Sequence, residues 1–273
     1  MVYEWKDKVV LITGAARGIG ANVVRIALEE GVKRVVIIDV DETNTVALKN
    51  ELNAKHGEGK VEFIKCDVTN EAQLTSAYKS VLNDKTNEYV VVNSAAILND
   101  SWATYRKQID INVTALITGS LIALDMMRAD KGGKGGAIIN MSSVAALAPL
   151  PYTPIYNATK SAVMQFSIAL GANDYYERTR VRVLTMCFGA TDTGLIALQN
   201  MGCFDEVMES RLGEALSIYP GQKVQSAARS VVDAYKLGAS GSVWLSNADK
   251  PVEDITDKHT AAYKILTDPV FAK

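Results

Sequence analysis

KVVLITGAARGIGANVVRIALEEG, residues 8–31, is the stretch whose reading decides the fold. Its opening run, KVVLI at 8–12, is short, β-branched and uninterrupted by polar residues, the pattern of a buried strand. It breaks at TGAARGIG, 13–20, and then ANVVRIALEEG places apolar residues at 23, 24, 26, 27 and 28 before Gly31. That spacing is a helix with a glycine stop. Strand, glycine turn and helix in this order have a physical use. Glycines let the backbone turn tightly and approach a pyrophosphate. The helix start offers free N–H groups and a positive dipole end to the same anion. Gly14, Arg17, Gly18, Ile19 and Gly20 are therefore candidate dinucleotide contacts.

The next strand, RVVIID at 34–39, closes on Asp39, nineteen positions after Gly20. A carboxylate there accepts hydrogen bonds from both hydroxyls of an adenosine ribose and repels a 2′-phosphate. Arg17 is the one nearby cation that argues the other way, and Asp39 is given more weight. The expected cofactor is NAD.

The alternation continues down the chain. Helix TNTVALKNELNAKHG is followed by strand VEFIKCDV, helix EAQLTSAYKSVLN and strand YVVVNSA. A long helix from about Tyr105 to Arg128 precedes strand AIINMSS, a helix begins near Tyr156, VRVLTMC supplies a later strand, and GSVWLSN is expected to be the last. Apolar strands alternating with amphipathic helices predict an α/β fold. The expectation is one domain over 1–273, a doubly wound, Rossmann-type parallel sheet with helices on both faces. GGKGG, 132–136, reads as a loop tip and not a linker.

Composition narrows the function classes. With 29 basic and 31 acidic residues the formal charge is -2, and no basic run is concentrated enough to bind nucleic acid. Three cysteines without close pairs suit a reducing compartment. They have no metal-ligand spacing, and the two histidines stand far apart, so no metal site is expected. The charged start MVYEWKDK lacks a signal-peptide core, and no uninterrupted apolar run reaches the ~18 residues of a membrane span. The expected location is cytoplasmic.

One more stretch carries chemistry: SSVAALAPLPYTPIYNATK, 142–160. Tyr156 and Lys160 are four apart and share one face of a helix. Taken with the glycine turn, Gly-x-x-x-Gly-x-Gly and Tyr-x-x-x-Lys resemble the short-chain dehydrogenase/reductase family over roughly residues 6 to 195. The resemblance implies roles for matching positions. Thr13, Gly14, Gly18, Ile19 and Gly20 match the cofactor turn. Asp67-Val68 matches the pair whose carboxylate caps the adenine amino group. Asn93-Ser94-Ala95-Ala96 stands where the family has Asn-Asn-Ala-Gly, which makes Asn93 and Ala95 cofactor candidates. Gly189, Thr191 and Thr193 follow the last cofactor strand, with Thr193 expected at the carboxamide and Phe188 replacing the usual proline. Asn112, Ser143, Tyr156 and Lys160 match the catalytic asparagine, serine, tyrosine and lysine.

By that resemblance Lys160 binds the nicotinamide ribose, and its ammonium favours the phenolate of Tyr156. With the positive nicotinamide ring adding to that field, the phenol pKa is then expected to fall toward neutrality. Ser143 orients the substrate oxygen, and Asn112 holds a water linking Lys160 to solvent. The family's habit implies a homodimer or homotetramer.

Beyond Thr193, the segment GLIALQNMGCFDEVMESRLGEALSIY is amphipathic through Leu195, Ile196, Leu198, Met201, Phe204, Val207, Met208 and Leu212. It is expected to form a lid around 190–220 over a small lipophilic alcohol or carbonyl: terpenoid, fatty, prostanoid or steroid-like. NAD-dependent alcohol oxidation is the favoured reading. Carbonyl reduction, or a dinucleotide-binding sensor without turnover, stays open.

Overall fold

Strand β1 (Val9–Thr13) is buried at every position, and its side chains divide between two cores. Val10 and Ile12 join a cluster with Val23, Val24, Ala27, Val231 and Tyr235. Val9 and Leu11 join another with Leu74, Tyr78, Leu124, Met127 and Leu170. A strand lined by apolar residues on both sides must be covered on both sides, which is why the run shows no polar alternation.

A computed structural model describes residues 2–271. In chain order, β1 is followed by α1 (Gly18–Glu29), β2 (Arg34–Asp39), α2 (Glu42–His56), β3 (Val61–Lys65), α3 (Glu71–Leu82) and β4 (Tyr89–Asn93). Then come α4 (Tyr105–Ile109), α5 (Leu116–Met127), β5 (Gly136–Ser143), α6 (Pro154–Leu170), α7 (Asn173–Thr179) and β6 (Val181–Phe188). The remainder is α8 (Glu206–Ser210), α9 (Leu212–Ser217), α10 (Val224–Leu237), β7 (Val243–Ser246), β8 (Glu253–Asp254) and α11 (Thr256–Phe271).

The strands form one sheet in the order β3-β2-β1-β4-β5-β6-β7-β8. All pairings are parallel except β7 with β8. The order reverses between β1 and β4, so the loops leaving their carboxyl ends part and open a crevice. Helix starts are set by local chemistry: Asp41 accepts the Asn44 N–H at α2, and Asn70 accepts the Gln73 N–H at α3. Pro154 opens α6, where a missing N–H costs nothing.

Two expectations need correction. GSVWLSN is not the last strand, since β8 adds a short antiparallel edge after it. The long helix from Tyr105 is not uniform: Asp110–Ala115 widens into a π-turn between α4 and α5. By length and composition Tyr105–Met127 could also cross a membrane. Here it is a core helix, with Gln108, Asn112 and Ser120 fully buried in polar contacts.

Candidate active site

The crevice at the carboxyl ends of the strands is a cavity of about 580 Å³. Its nucleotide half begins at the turn after β1. Gly14 has φ +67°, and a Cβ there would stand 2.5 Å from the Ala95 Cα. Gly18 has φ +63°, a left-handed conformation that side chains resist. Gly20 faces the Gly14 carbonyl, which an added Cβ would meet at 2.6 Å. Thr13 closes the floor by accepting the N–H groups of Ser94 and Ala95 at 3.1 and 3.2 Å. The turn is thus pressed against the β4 loop, and the first N–H groups of α1 face the cavity without a side-chain cap. This cradle fits a pyrophosphate.

Asp39 ends β2 on the cavity wall. Its carboxylate accepts the Ala16 N–H at 2.9 Å and the Asp41 N–H at 3.0 Å. Arg17 lines the same end and is exposed, and its charge helps keep the Asp41 carboxyl below its usual range, after hydrogen bonds from Asn44. Asp67 and Val68 form the next wall. Hydrogen bonds from Thr69 hold the Asp67 carboxyl below its ordinary range. Cys66 and Lys107, which drew no attention in the sequence, line this end too. Ile19, Ala95, Gly189, Thr191 and Thr193 all border the cavity. The Thr191 hydroxyl itself is spent on the Gly189 carbonyl and on Gln222, so only its backbone is available there.

Ser143, Tyr156 and Lys160 meet where β5 ends against the first turns of α6. The Ser143 hydroxyl lies 3.3 Å from the Phe188 carbonyl and accepts the Ala145 N–H at 3.1 Å. The Lys160 ammonium is 5.6 Å from the centre of the Tyr156 ring and donates to the Met141 carbonyl at 2.9 Å. Ser142 donates to the Lys160 carbonyl at 2.9 Å, fastening α6 to β5.

The expected fall in the tyrosine pKa is not a property of the chain by itself. Burial pushes the Tyr156 phenol up to about 12, against a hydrogen bond from Ser143 that lowers it and the Asp100 charge that raises it further. Burial lowers Lys160 to about 8. Desolvation disfavours both charged forms and is the largest cause for each.

Two sequence candidates do not face the cavity. The Asn93 side chain is buried on the opposite side of β4, accepting from the Tyr78 hydroxyl at 2.5 Å and donating to Ser120 and Asn140 at 3.0 and 2.8 Å. Its side chain joins sheet to helices. The Asn112 amide is spent as well: it accepts the Ile97 N–H at 2.9 Å and donates to the Ile97 carbonyl at 2.9 Å and Thr159 at 3.2 Å. That side chain fixes the cavity wall at Ile97.

Beyond Tyr156 the cavity turns apolar. Leu98, Ala145, Tyr156, Met201 and Leu212 form a small cluster, with Leu150, Tyr152, Leu195, Ile196 and Leu216 packed against it. Phe188, in the usual proline position, is buried in the main core and borders the cavity.

The model for short chain dehydrogenases matches residues 8–201. The chain belongs to the short-chain dehydrogenase family. Among curated relatives, human 15-hydroxyprostaglandin dehydrogenase [NAD(+)] is 35% identical over 205 residues, covering 73% of this chain and 75% of that one. Alcohol dehydrogenase 1 of Ceratitis capitata is 32% identical over 244 residues, covering 88% and 91%. The crystal structure of levodione reductase superposes with a TM-score of 0.73 at 20% identity, over 89% of this chain and 97% of that one, a likeness of fold. As a short-chain dehydrogenase the chain is an oxidoreductase acting on a small molecule.

Proposed function

We propose that this short-chain dehydrogenase oxidises a lipophilic alcohol to the carbonyl with NAD. The observation that carries the reading is the position of Ser143, Tyr156 and Lys160. They stand where a cradle for a dinucleotide meets an apolar chamber, within one cavity.

Bound in the cradle, the oxidised dinucleotide would supply the hydride acceptor and a positive charge. Gly14, Gly18 and Gly20 would admit the pyrophosphate, Asp39 would receive the adenosine ribose hydroxyls, and Asp67 would receive the adenine amino group. Tyr156, brought to the phenolate when the field of the positive cofactor and of Lys160 offsets its burial, takes the proton from the substrate hydroxyl. The Ser143 hydroxyl turns from the Phe188 carbonyl to the substrate oxygen and holds it in line. Lys160, anchored at the Met141 carbonyl, stays beside the phenol and needs only a small change in field to gain or lose its proton near neutrality.

The names of the relatives support NAD and an alcohol. The carboxylate of Asp39 supports NAD over NADP. Leu150, Tyr152, Leu195, Ile196, Met201 and Leu216 support a lipophilic substrate, and segment 190–220 acts as the lid above it. Three buried free cysteines fit a reducing, cytoplasmic setting.

The test is a panel of lipophilic alcohols assayed by reduced-cofactor absorbance with NAD and NADP, together with Tyr156→Phe. The variant should lose about 10²–10⁴-fold in turnover and keep its affinity for NAD. Unchanged turnover in the variant would refute the assignment.

A further inference from the structure

Asp100 is fully buried, yet each of its side-chain contacts is a hydrogen bond from an uncharged donor. One carboxylate oxygen accepts the Gln108 amide at 2.7 Å and the Tyr156 N–H at 3.0 Å. The other accepts the Ile155 N–H at 2.7 Å. Those two N–H groups belong to the first turn of α6, where helices leave donors without partners. Thr153, the residue at the local cap position, makes no such bond. Asp100 lies 56 residues before Tyr156, so the cap comes from a different element.

The ionised state follows from the donors. A protonated carboxyl would need an acceptor for its own hydrogen, and both oxygens face N–H groups. The positive end of a 17-residue helix favours the anion too. Burial alone pulls the other way and raises the Asp100 pKa.

The same short segment is tied to the lid. The Asp100 N–H donates to the Gly202 carbonyl at 2.8 Å, and the Asn99 amide donates to the Asn200 carbonyl at 3.1 Å. Gln108 accepts the Asn99 N–H at 2.6 Å, which fixes the segment from α4. We propose that Asp100 is a positioning residue that seats the first turn of α6, and with it Tyr156, against the lid over the substrate. This rests on the reading of Tyr156 as the acid–base group.

The carboxylate also acts on Tyr156 by its charge. The groups facing that phenol are Lys160 on its own helix, Ser143 from β5, Asp100 from the β4 loop, and apolar Ala145, Met201 and Leu212. Asp100 is the one anion among them and opposes the phenolate. In Asp100→Asn the amide oxygen can accept one helix N–H while its NH₂ confronts the other.

The experiment compares wild type, Asp100→Asn and Tyr156→Phe by turnover against pH and by NAD affinity, and follows amide hydrogen exchange in the wild type. Asp100→Asn should lose about 10–100-fold in kcat through misplacement with NAD affinity within about threefold. Its rising pH limb should move about 0.5–1 unit lower, since the opposing charge is gone. A purely structural cap would lower the rate without moving the limb, and that result overturns the proposal. Ile155 and Tyr156 amides in the wild type should exchange as slowly as mid-helix amides. Exchange at the rate of open first-turn amides overturns it as well, whether or not the variant folds. If Tyr156→Phe keeps its turnover, the acid–base reading fails first and takes this one with it. If Tyr156→Phe is inactive and the limb stays fixed, only the Asp100 role falls.

Discussion

Under the proposed preference for NAD, replacing Asp39 with asparagine should let the enzyme accept NADP. The side chain keeps its size and loses its charge. A 2′-phosphate on the ribose would sit within about 4 Å of that charge, a repulsion of about 4 kcal/mol at an effective dielectric near 20. Asp39 is only half-buried, so salt and solvent cut this to about 2 kcal/mol, roughly 30-fold in NADP affinity. For NAD, hydrogen bonds to an ionised acceptor become bonds to a neutral one, a loss of about 1 kcal/mol or fivefold. The ratio of the two affinities should therefore move by about two orders of magnitude. Asparagine can keep only one of the bonds that Asp39 accepts from Ala16 and Asp41. Loosening of the turn affects both nucleotides alike and cancels in the ratio. Fluorescence titration of NAD and NADP into both proteins at fixed salt measures it. A ratio that moves less than about fivefold, or a wild type that already prefers NADP, would refute the reasoning about Asp39.

Asn93→Ala should destabilise the protein by about 2–4 kcal/mol, because it strands the buried Tyr78 hydroxyl and removes two donations. NAD affinity should stay the same, and denaturant melts beside a binding titration check both. Gly14→Ala should cost about 3 kcal/mol or more, from a left-handed backbone and the contact with Ala95, and should abolish nucleotide binding in the same assays. Lys160 gives a pH test with a definite sign. Its folded pKa, about 8, lies below the unfolded value, so across about pH 8–10.5 the unfolded chain holds the extra proton and stability rises with pH. The stability of wild type minus that of Lys160→Met should thus grow from about pH 7.5 to about pH 9.5; a flat difference in thermal melts would contradict the burial of that ammonium.

Much of the nucleotide half was legible because its chemistry is local. A buried strand, a glycine turn and a helix follow one another without a gap, and Asp39 and Asp67 stand just where β2 and β3 give way to loops. Tyr156 and Lys160 were legible because one helix turn brings them together. The direction of the Asn93 side chain was not legible because β4 is buried on both faces, and an all-apolar run gives no alternation to show which side a residue takes. The side-chain contacts of Asn112 were not legible because a π-turn shifts the phase of the helix, and nothing in DINVTA announces it. Asp100 was out of reach: its partners are 8, 55 and 56 residues away, and only the folded chain makes it a cap. The phenol's starting point was not legible because spacing reports proximity and is silent on desolvation, which in the chain alone holds the pKa high.

The wide turn at Asp110–Ala115 has a consequence for how the chain tolerates change. Such a turn carries one residue more than regular winding would. Removing any one residue there would let the hydrogen-bond ladder close evenly and swing the preceding segment by about 100°. Gln108 would leave Asp100, and the Ile97 wall would lose its anchor. In this part of the molecule the tally of residues is under tighter constraint than their identity, and insertions or deletions should be far less forgiving than exchanges.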